Sequence, residues 1–395
     1  MLNGRMKLGA WLAALAVVVA LGCAGGPRKP DAFYQPPAPM PPGKPGDVLR
    51  SEPVADGPDG ARSFRILYRS TGMKGEPVAV SAMLVVPDGP APQGGRAVVA
   101  WAHPTTGVVP DCAPSLQLNW RKTIAGLDEM LKAGMVVVAT DYPGLGTPGV
   151  HPYLVGASQA RAVVDSVRAA REVKEAGAGD RYVVWGHSQG GHAALFTGQL
   201  SAALAPELKL LGVAAAAPAT DLAKLLELDL DSKLGKVLAS EALWSWSRIY
   251  DAPMSKVLFP DAVPVVNRVA ADCIRDGVEG LTAFSDSLPF RDGFLTVKLS
   301  AVEPWGAIMK ENSPGAVPIV APVLIAQGTV DDVVRPQITA TYAGGLCAQG
   351  TAVTYLSVPD EGHVRVAFNT AKDAVAWMAD RFAGKPAPDE CVRSK

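Results

Sequence analysis

The chain has 395 residues, of which 48% are hydrophobic and 19% are charged, and its formal net charge is -1. A chain of this composition can bury a large core, and it lacks the basic footprint of a nucleic-acid-binding protein. We therefore expect a globular protein without a nucleic acid partner.

The N-terminus predicts export. Arg5 and Lys7 flank the start of the apolar run 8–22, "LGAWLAALAVVVALG". That run is shorter than the roughly 20 residues of a spanning helix and is typical of a cleaved signal peptide, here residues 1–22. It ends in "ALGC", which resembles the lipobox of bacterial lipoproteins, with Cys23 as the lipidated residue. We expect a cell-envelope lipoprotein (outer membrane or periplasm) anchored to the membrane through Cys23, with plain cleavage and secretion as the alternative.

The next segment, 23–47, is rich in proline and glycine and predicts a tether. Four further cysteines form an even number in an exported chain, which predicts disulfides but leaves three pairings open. Their spacing lacks the close pairs of a zinc site, so we expect no metal and no cofactor. These cysteines are Cys112, Cys273, Cys347 and Cys391.

From residue 62 onward, strands alternate with helices. Two strands of antiparallel type, "RSFRILYRS" and "VAVSAMLVVP", come first, and the clearest helix covers 157–176. Apolar runs typical of buried parallel strands follow at 97–102, 135–140, 182–185, 210–216, 323–327 and 353–358. The pattern predicts an α/β fold with a mostly parallel, doubly wound sheet.

A mostly helical interval, 222–316, separates the sixth and seventh of the eight predicted strands, 210–216 and 323–327. We interpret it as a cap inserted between two parts of the core, 48–221 and 317–395. Its aromatic residues would wall an apolar acyl site or form the cap's own core. They are Trp244, Trp246, Tyr250, Phe259, Phe284, Phe290, Phe294 and Trp305.

A serine between two glycines marks the candidate catalytic centre. "YVVWGHSQGGHAAL" places Gly186-x-Ser188-x-Gly190 between a strand and a helix, which is the context of a nucleophile elbow. The glycines allow a tight turn, and the helix N-terminus favours negative charge developing nearby. Ser188 is therefore the predicted nucleophile.

The base follows from chain order, because this type of fold uses serine, then acid, then histidine. Of five histidines, only His363, which comes just after the last predicted strand, satisfies that order. His103 and His151 precede the serine, and His103 is expected to shape its own loop. We expect the side chain of His187 to project away from Ser188 and that of His192 to pack within the helix.

The acid is expected after the strand "VLIAQ", where Asp331 and Asp332 are both candidates. Its role is to orient His363 and to stabilise the protonated ring.

The oxyanion hole needs two N–H donors. One is the backbone of Gln189, and the other is expected from the loop "AHPTTG", where Pro104 has no N–H. Thr105 is the predicted donor, with Thr106 as the alternative.

Several stretches together resemble the secretory lipase family, the bacterial and fungal α/β-hydrolases related to yeast lipase A. They are "FYQPP", "WAHPTTGVVPDCAPS", "ATDYPGLGTPGVHPYLVG", "WGHSQGGHAAL", "APATDL" and "QGTVDDVVRP". One departure is "HPTTG", where many members read His-Gly-Thr.

The resemblance implies the α/β-hydrolase fold, a Ser-Asp-His triad and hydrolysis of lipid or small-molecule carboxylic esters. In the family's pattern the acid lies three residues after the glycine that ends its strand, which selects Asp331. The family's disulfides imply the pairs Cys112–Cys273 and Cys347–Cys391. Two alternatives remain: an acyltransferase or peptidase of the same fold, and a non-catalytic binding protein.

Overall fold

The computed structural model describes residues 28–391, apart from 229, 231, 276 and 291–293. The predicted signal peptide and Cys23 lie outside the described residues. Within that part of the chain, no helix combines the length and the apolar character needed to cross a bilayer.

A single twisted sheet runs through the protein. Its strands are β1 (Val48–Val54), β2 (Ala61–Thr71), β3 (Pro77–Pro87), β4 (Arg96–Ala102), β5 (Val136–Thr140), β6 (Ala178–His187), β7 (Lys209–Ala216), β8 (Val323–Gly328) and β9 (Val353–Val358). In space the order is β1-β2-β3-β5-β4-β6-β7-β8-β9. β1, β2, β3 and β5 pair in antiparallel fashion, and the strands from β5 through β4 to β9 are parallel.

β1 is the strand that the sequence prediction missed. It reads VLRSEPV, and Ser51, Glu52 and Pro53 are exposed at the edge of the sheet, so it carries no apolar pattern. Because of this extra strand, the helical insertion lies between the seventh and eighth strands along the chain, β7 and β8, and not between the sixth and seventh.

Helices cover both faces of the sheet. They are α1 (Leu127–Lys132), α2 (Gly156–Glu172), α3 (Gln189–Leu204), α4 (Leu222–Leu228), α5 (Lys233–Ile249), α6 (Ala262–Val269), α7 (Gly277–Ser287), α8 (Trp305–Glu311), α9 (Pro336–Ala348), α10 (Val366–Asn369) and α11 (Ala371–Phe382). Successive strand residues point to opposite faces, so Val98 and Ala100 pack with α2 and α3, while Val99 and Trp101 pack with α1, α11 and the cap. Burial on both faces explains the continuous apolar runs of the parallel strands.

Helices α4 to α8 lie between β7 and β8. Trp246 and Trp305 are fully buried with ring centroids 6.4 Å apart, so these two belong to the cap's own core. A disulfide joins Cys112, in the loop after β4, to Cys273, between α6 and α7. A second disulfide joins Cys347 to Cys391. Both pairings agree with those implied by the family resemblance.

The described part of the predicted tether lies against the core. Phe33 and Tyr34 are buried, and the guanidinium of Arg65 lies 4.3 Å from the centroid of the Phe33 ring. The hydroxyls of Tyr34 and Ser115 are 2.9 Å apart. Residue 34 is therefore tied to the loop that follows β4.

Candidate active site

Ser188 lies at the joint between β6 and α3. It is the N-cap of α3 and has φ 55° and ψ -116°, a conformation that costs a residue with a side chain about 1–3 kcal/mol. A Cβ on Gly190 would lie 1.9 Å from the carbonyl oxygen of Ala102, and one on Gly186 would lie 2.1 Å from that of Gly190. The two glycines therefore let the elbow pass directly against the end of β4.

The structure brings three predicted side chains together in one hydrogen-bonded row. The Nε2 atom of His363 lies 2.9 Å from the Oγ of Ser188. The Nδ1 atom of the same ring lies 2.9 Å from the Oδ2 of Asp331. An ionised carboxylate can only accept, so Nδ1 carries the proton and Nε2 presents its lone pair to the serine hydroxyl.

Asp331 is held by the turn that follows β8. Its Oδ1 accepts hydrogen bonds from the backbone N–H groups of Val333 (2.9 Å) and Val334 (2.8 Å). Its Oδ2 also accepts one from the Nε2 of Gln327, at 3.0 Å. Burial by itself would raise the pKa of Asp331, but the contacts with His363 and with these backbone amides outweigh it and hold the pKa below its usual value. The carboxylate is therefore ionised at neutral pH.

The neighbouring acids lie elsewhere. Asp332 and Asp360 are exposed, and Glu361 accepts a hydrogen bond from the side chain of Asn369. The structure thus places Asp331, and not its neighbour, beside His363.

His187 has a contact that the sequence did not reveal. Its Nε2 lies 2.9 Å from the carbonyl oxygen of His363. Burial lowers the pKa of His187 to about 3, so the ring is neutral and Nε2 must donate its one proton to that carbonyl. The rings of His187 and His363 also lie 5.0 Å apart, measured between centroids, so His187 supports the loop that carries His363.

The side chain of Gln189 is held in place by His151. Its Nε2 lies 2.9 Å from the Nε2 of His151, whose Nδ1 lies 2.9 Å from the carbonyl oxygen of Pro143. Burial lowers the pKa of His151 to about 3, so Nδ1 donates to Pro143 and Nε2 accepts from Gln189. The backbone N–H of Gln189 belongs to the first turn of α3, where no intrahelical acceptor is available.

The loop after β4 contacts both the core and the cap. The Oγ1 of Thr105 lies 2.9 Å from the phenol oxygen of Tyr153, and the carbonyl of Thr106 accepts a hydrogen bond from the N–H of Ile274 at 3.0 Å. The ring of His103 lies between the carbonyl oxygens of Pro104 and Asp141. Burial lowers its pKa to about 4. Thr105 as the second oxyanion donor stays a prediction.

A small cavity of about 40 Å³ opens beside Ser188. Apolar side chains from α4 and α5 form much of its wall. The lining residues are Tyr153, Leu154, Ser188, Gln189, Ala219, Leu222, Leu225, Leu226, Gly235, Leu238, Val333 and Val334. Among the described residues, no three His, Cys, Asp or Glu side chains lie together in a way that could hold a metal ion.

Comparison with known proteins assigns the chain to a family. The sequence profile of the secretory lipase family matches residues 121–390, more than half of the chain. The chain belongs to the secretory lipase family. As a member it is a carboxylic ester hydrolase of the lipase and esterase class, and the family and a secreted relative indicate export.

Curated relatives of this secretory lipase align with it over nearly its whole length. A "secreted triacylglycerol lipase" of Malassezia globosa is 26% identical, covering 91% of this chain and 81% of its own. "Lipase 6" of Candida albicans is 26% identical, with 92% and 84% covered. A "probable inactive lipase" of Mycobacterium tuberculosis is 28% identical, also with 92% and 84% covered.

Solved structures place the chain in the α/β-hydrolase fold. Candida antarctica lipase A superposes with a TM-score of 0.77 at 20% identity, covering 91% of this chain and 87% of that one. A rice cell wall degrading esterase from Xanthomonas oryzae superposes with a TM-score of 0.68 at 20% identity, with 87% and 100% covered. The predicted α/β-hydrolase fold is confirmed.

Proposed function

We propose that this protein is an exported serine esterase or lipase that works through an acyl-enzyme on Ser188. The observation that carries the proposal is the hydrogen-bonded row from Ser188 through His363 to Asp331. A serine hydroxyl is a weak nucleophile unless a base takes its proton, and the Nε2 of His363 is at hydrogen-bond distance for that transfer.

The two half-reactions follow from this geometry. The Oγ of Ser188 attacks the ester carbonyl while Nε2 of His363 takes its proton, and the Asp331 carboxylate stabilises the resulting imidazolium. The imidazolium then protonates the leaving alcohol, and the acyl group stays on Ser188 until a water, deprotonated by His363, releases the acid. The backbone N–H groups of Gln189 and Thr105 would hold the oxyanion in both steps.

We also propose that residues 222–316 act as a cap over the acyl side of this centre, between the core parts 48–221 and 317–395. The proposal is supported by the cavity beside Ser188, whose wall includes leucines of α4 and one leucine of α5. For location, the "ALGC" sequence supports signal cleavage after residue 22 and membrane anchoring through a lipidated Cys23, which would place the protein in the bacterial cell envelope.

One relative carries the name "probable inactive lipase", so a protein of this family that binds esters without turning them over is the alternative to exclude. The hydrogen-bonded row at Ser188 favours turnover. Hydrolysis of p-nitrophenyl esters of graded chain length, followed with purified wild-type protein and Ser188→Ala, separates the two functions.

The serine variant should lose about four to six orders of magnitude in kcat while keeping the wild-type circular dichroism spectrum and melting temperature. Retention of more than a tenth of the wild-type rate would contradict the proposal, as would a folded wild-type protein that hydrolyses none of the esters. Product analysis with added alcohol or amine tests the acyltransferase alternative.

A further inference from the structure

The cap buries a carboxyl group that has no partner. Glu241, in the middle of α5, is fully buried, and within the described part of the chain neither of its side-chain oxygens has a hydrogen-bond partner. Buried polar groups are nearly always hydrogen-bonded, because losing the bonds to water without replacing them costs free energy. The fold therefore retains this acid at the expense of stability.

Glu241 lies on the face of α5 that forms the wall of the active site. Residues three and four apart in a helix share a face. Leu238, one turn before, lines the cavity beside Ser188. Ser245, one turn after, donates to the carbonyl oxygen of His151 at 2.6 Å and accepts from the N–H of Tyr153 at 3.0 Å.

The carboxyl of Glu241 also acts electrostatically on Tyr153. A negative charge on Glu241 contributes, after burial, to raising the pKa of Tyr153, which lines the cavity with Ser188. Burial raises the pKa of Glu241 itself well above its usual value, which favours the protonated acid, a group that can both donate and accept a hydrogen bond. The phenol of Tyr153 already has a partner in Thr105.

A second unpartnered atom belongs to the same cavity. Gln189 lines it, and the Oε1 of this residue is buried without a hydrogen-bond partner among the described residues. Gln189 in the wall of the cavity and Glu241 on α5, the helix that contributes Leu238 to that wall, are thus two buried polar residues with oxygens that lack a partner among the described residues. Such a site binds a hydroxyl group well and discriminates against a substrate that lacks one.

We propose that Glu241 forms a hydroxyl-binding subsite for the acyl chain, and that the preferred substrates are esters of short hydroxy acids. The inference rests on the proposed function. The acyl group is assigned to this cavity because it stays on Ser188 after the first step, whereas the alcohol must leave to solvent. A cavity of about 40 Å³ favours a short chain.

The test compares p-nitrophenyl butanoate with each enantiomer of p-nitrophenyl 3-hydroxybutanoate, and corrects every rate for the spontaneous hydrolysis of that ester. The proteins are the wild type, Glu241→Leu, and the matched control Glu241→Gln, which keeps a donor and an acceptor. We expect the wild type to prefer one hydroxy ester by about tenfold or more in kcat/KM. Glu241→Leu should lower the ratio of kcat/KM for that hydroxy ester to kcat/KM for the butanoate to about one, and Glu241→Gln should retain most of the wild-type ratio.

Each other outcome is decisive. If the wild type hydrolyses the butanoate as fast as, or faster than, either hydroxy ester, the inference is wrong whatever the variants do. If Glu241→Leu lowers the rates on all three esters in equal proportion, the side chain has only a structural or water-binding role. If the wild type hydrolyses longer chains but none of these three esters, the inference fails and the proposed function stands; if it hydrolyses no ester at all, the proposed function fails as well.

Discussion

Replacing Asp331 by asparagine changes one atom of the active site and reverses the direction of a hydrogen bond. In the wild type, Oδ1 accepts from the N–H groups of Val333 and Val334, while Oδ2 accepts from His363 and Gln327. An asparagine has only one acceptor oxygen. The two backbone amides are fixed in the turn, whereas the side chains of His363 and Gln327 can rotate, so we expect that oxygen to stay with the backbone.

The amide NH₂ then lies where Oδ2 was, 2.9 Å from the Nδ1 of His363. A donor at that place makes Nδ1 an acceptor, so the ring proton moves to Nε2, which faces the hydroxyl of Ser188 and can no longer accept its proton. The charge that stabilises the imidazolium is lost as well. We expect Asp331→Asn to lower kcat by about four orders of magnitude, equivalent to about 5.4 kcal/mol of transition-state stabilisation.

The assay is steady-state hydrolysis of p-nitrophenyl butanoate at neutral pH, with a melting curve to show that the variant is folded. The matched control is Asp332→Asn, since Asp332 is the exposed neighbour and its change should alter kcat less than tenfold. Equal losses in the two variants, or a greater loss in the control, would refute the tautomer argument.

Three further predictions concern stability and location. Burial lowers the pKa of four histidines from 6.5 to about 3 or 4, so below pH 6.5 the unfolded chain takes up protons that the native protein does not. Four carboxyl groups offset part of this, because burial raises the pKa of Asp141 and Asp272 to about 6 and also raises the pKa of Asp165 and Glu241. The unfolding free energy from urea titrations should therefore show a net fall between pH 6.5 and 4, and a free energy that rises as the pH is lowered would contradict the burial of His103, His151, His187 and His192. The Cys112–Cys273 bridge spans 161 residues and the Cys347–Cys391 bridge 44, which gives about 5 and about 4 kcal/mol of chain-entropy stabilisation. Removing the first pair should therefore lower the unfolding free energy, measured by urea titration, more than removing the second. It should also lower activity, because this bridge holds the loop of Thr105 to the cap. Cys23→Ser should move the protein expressed in bacteria from the detergent phase to the aqueous phase on Triton X-114 separation, and an unchanged partition would argue against lipidation.

The local sequence pattern determined the parallel strands and the turn at Ser188. Runs of apolar residues predicted the parallel strands, because such strands are buried on both faces. Gly186 and Gly190 flank Ser188 because a Cβ at either position would lie about 2 Å from a backbone carbonyl oxygen. This steric requirement is visible in the sequence as glycine. Chain order then led to His363, and the resemblance to a family, more than spacing, selected Asp331 and the disulfide pairs.

Only the tertiary structure decided which groups meet across the fold. β1 escaped prediction because an exposed edge strand needs no apolar pattern. The contact of His187 with His363 joins residues 176 apart, and the support of Gln189 by His151 joins residues 38 apart; neither leaves a local signal. Glu241 reads in the sequence as an ordinary helix residue, and its unpartnered burial arises only when α5 packs against the active site, because burial is a property of the assembled surfaces and not of the residue itself.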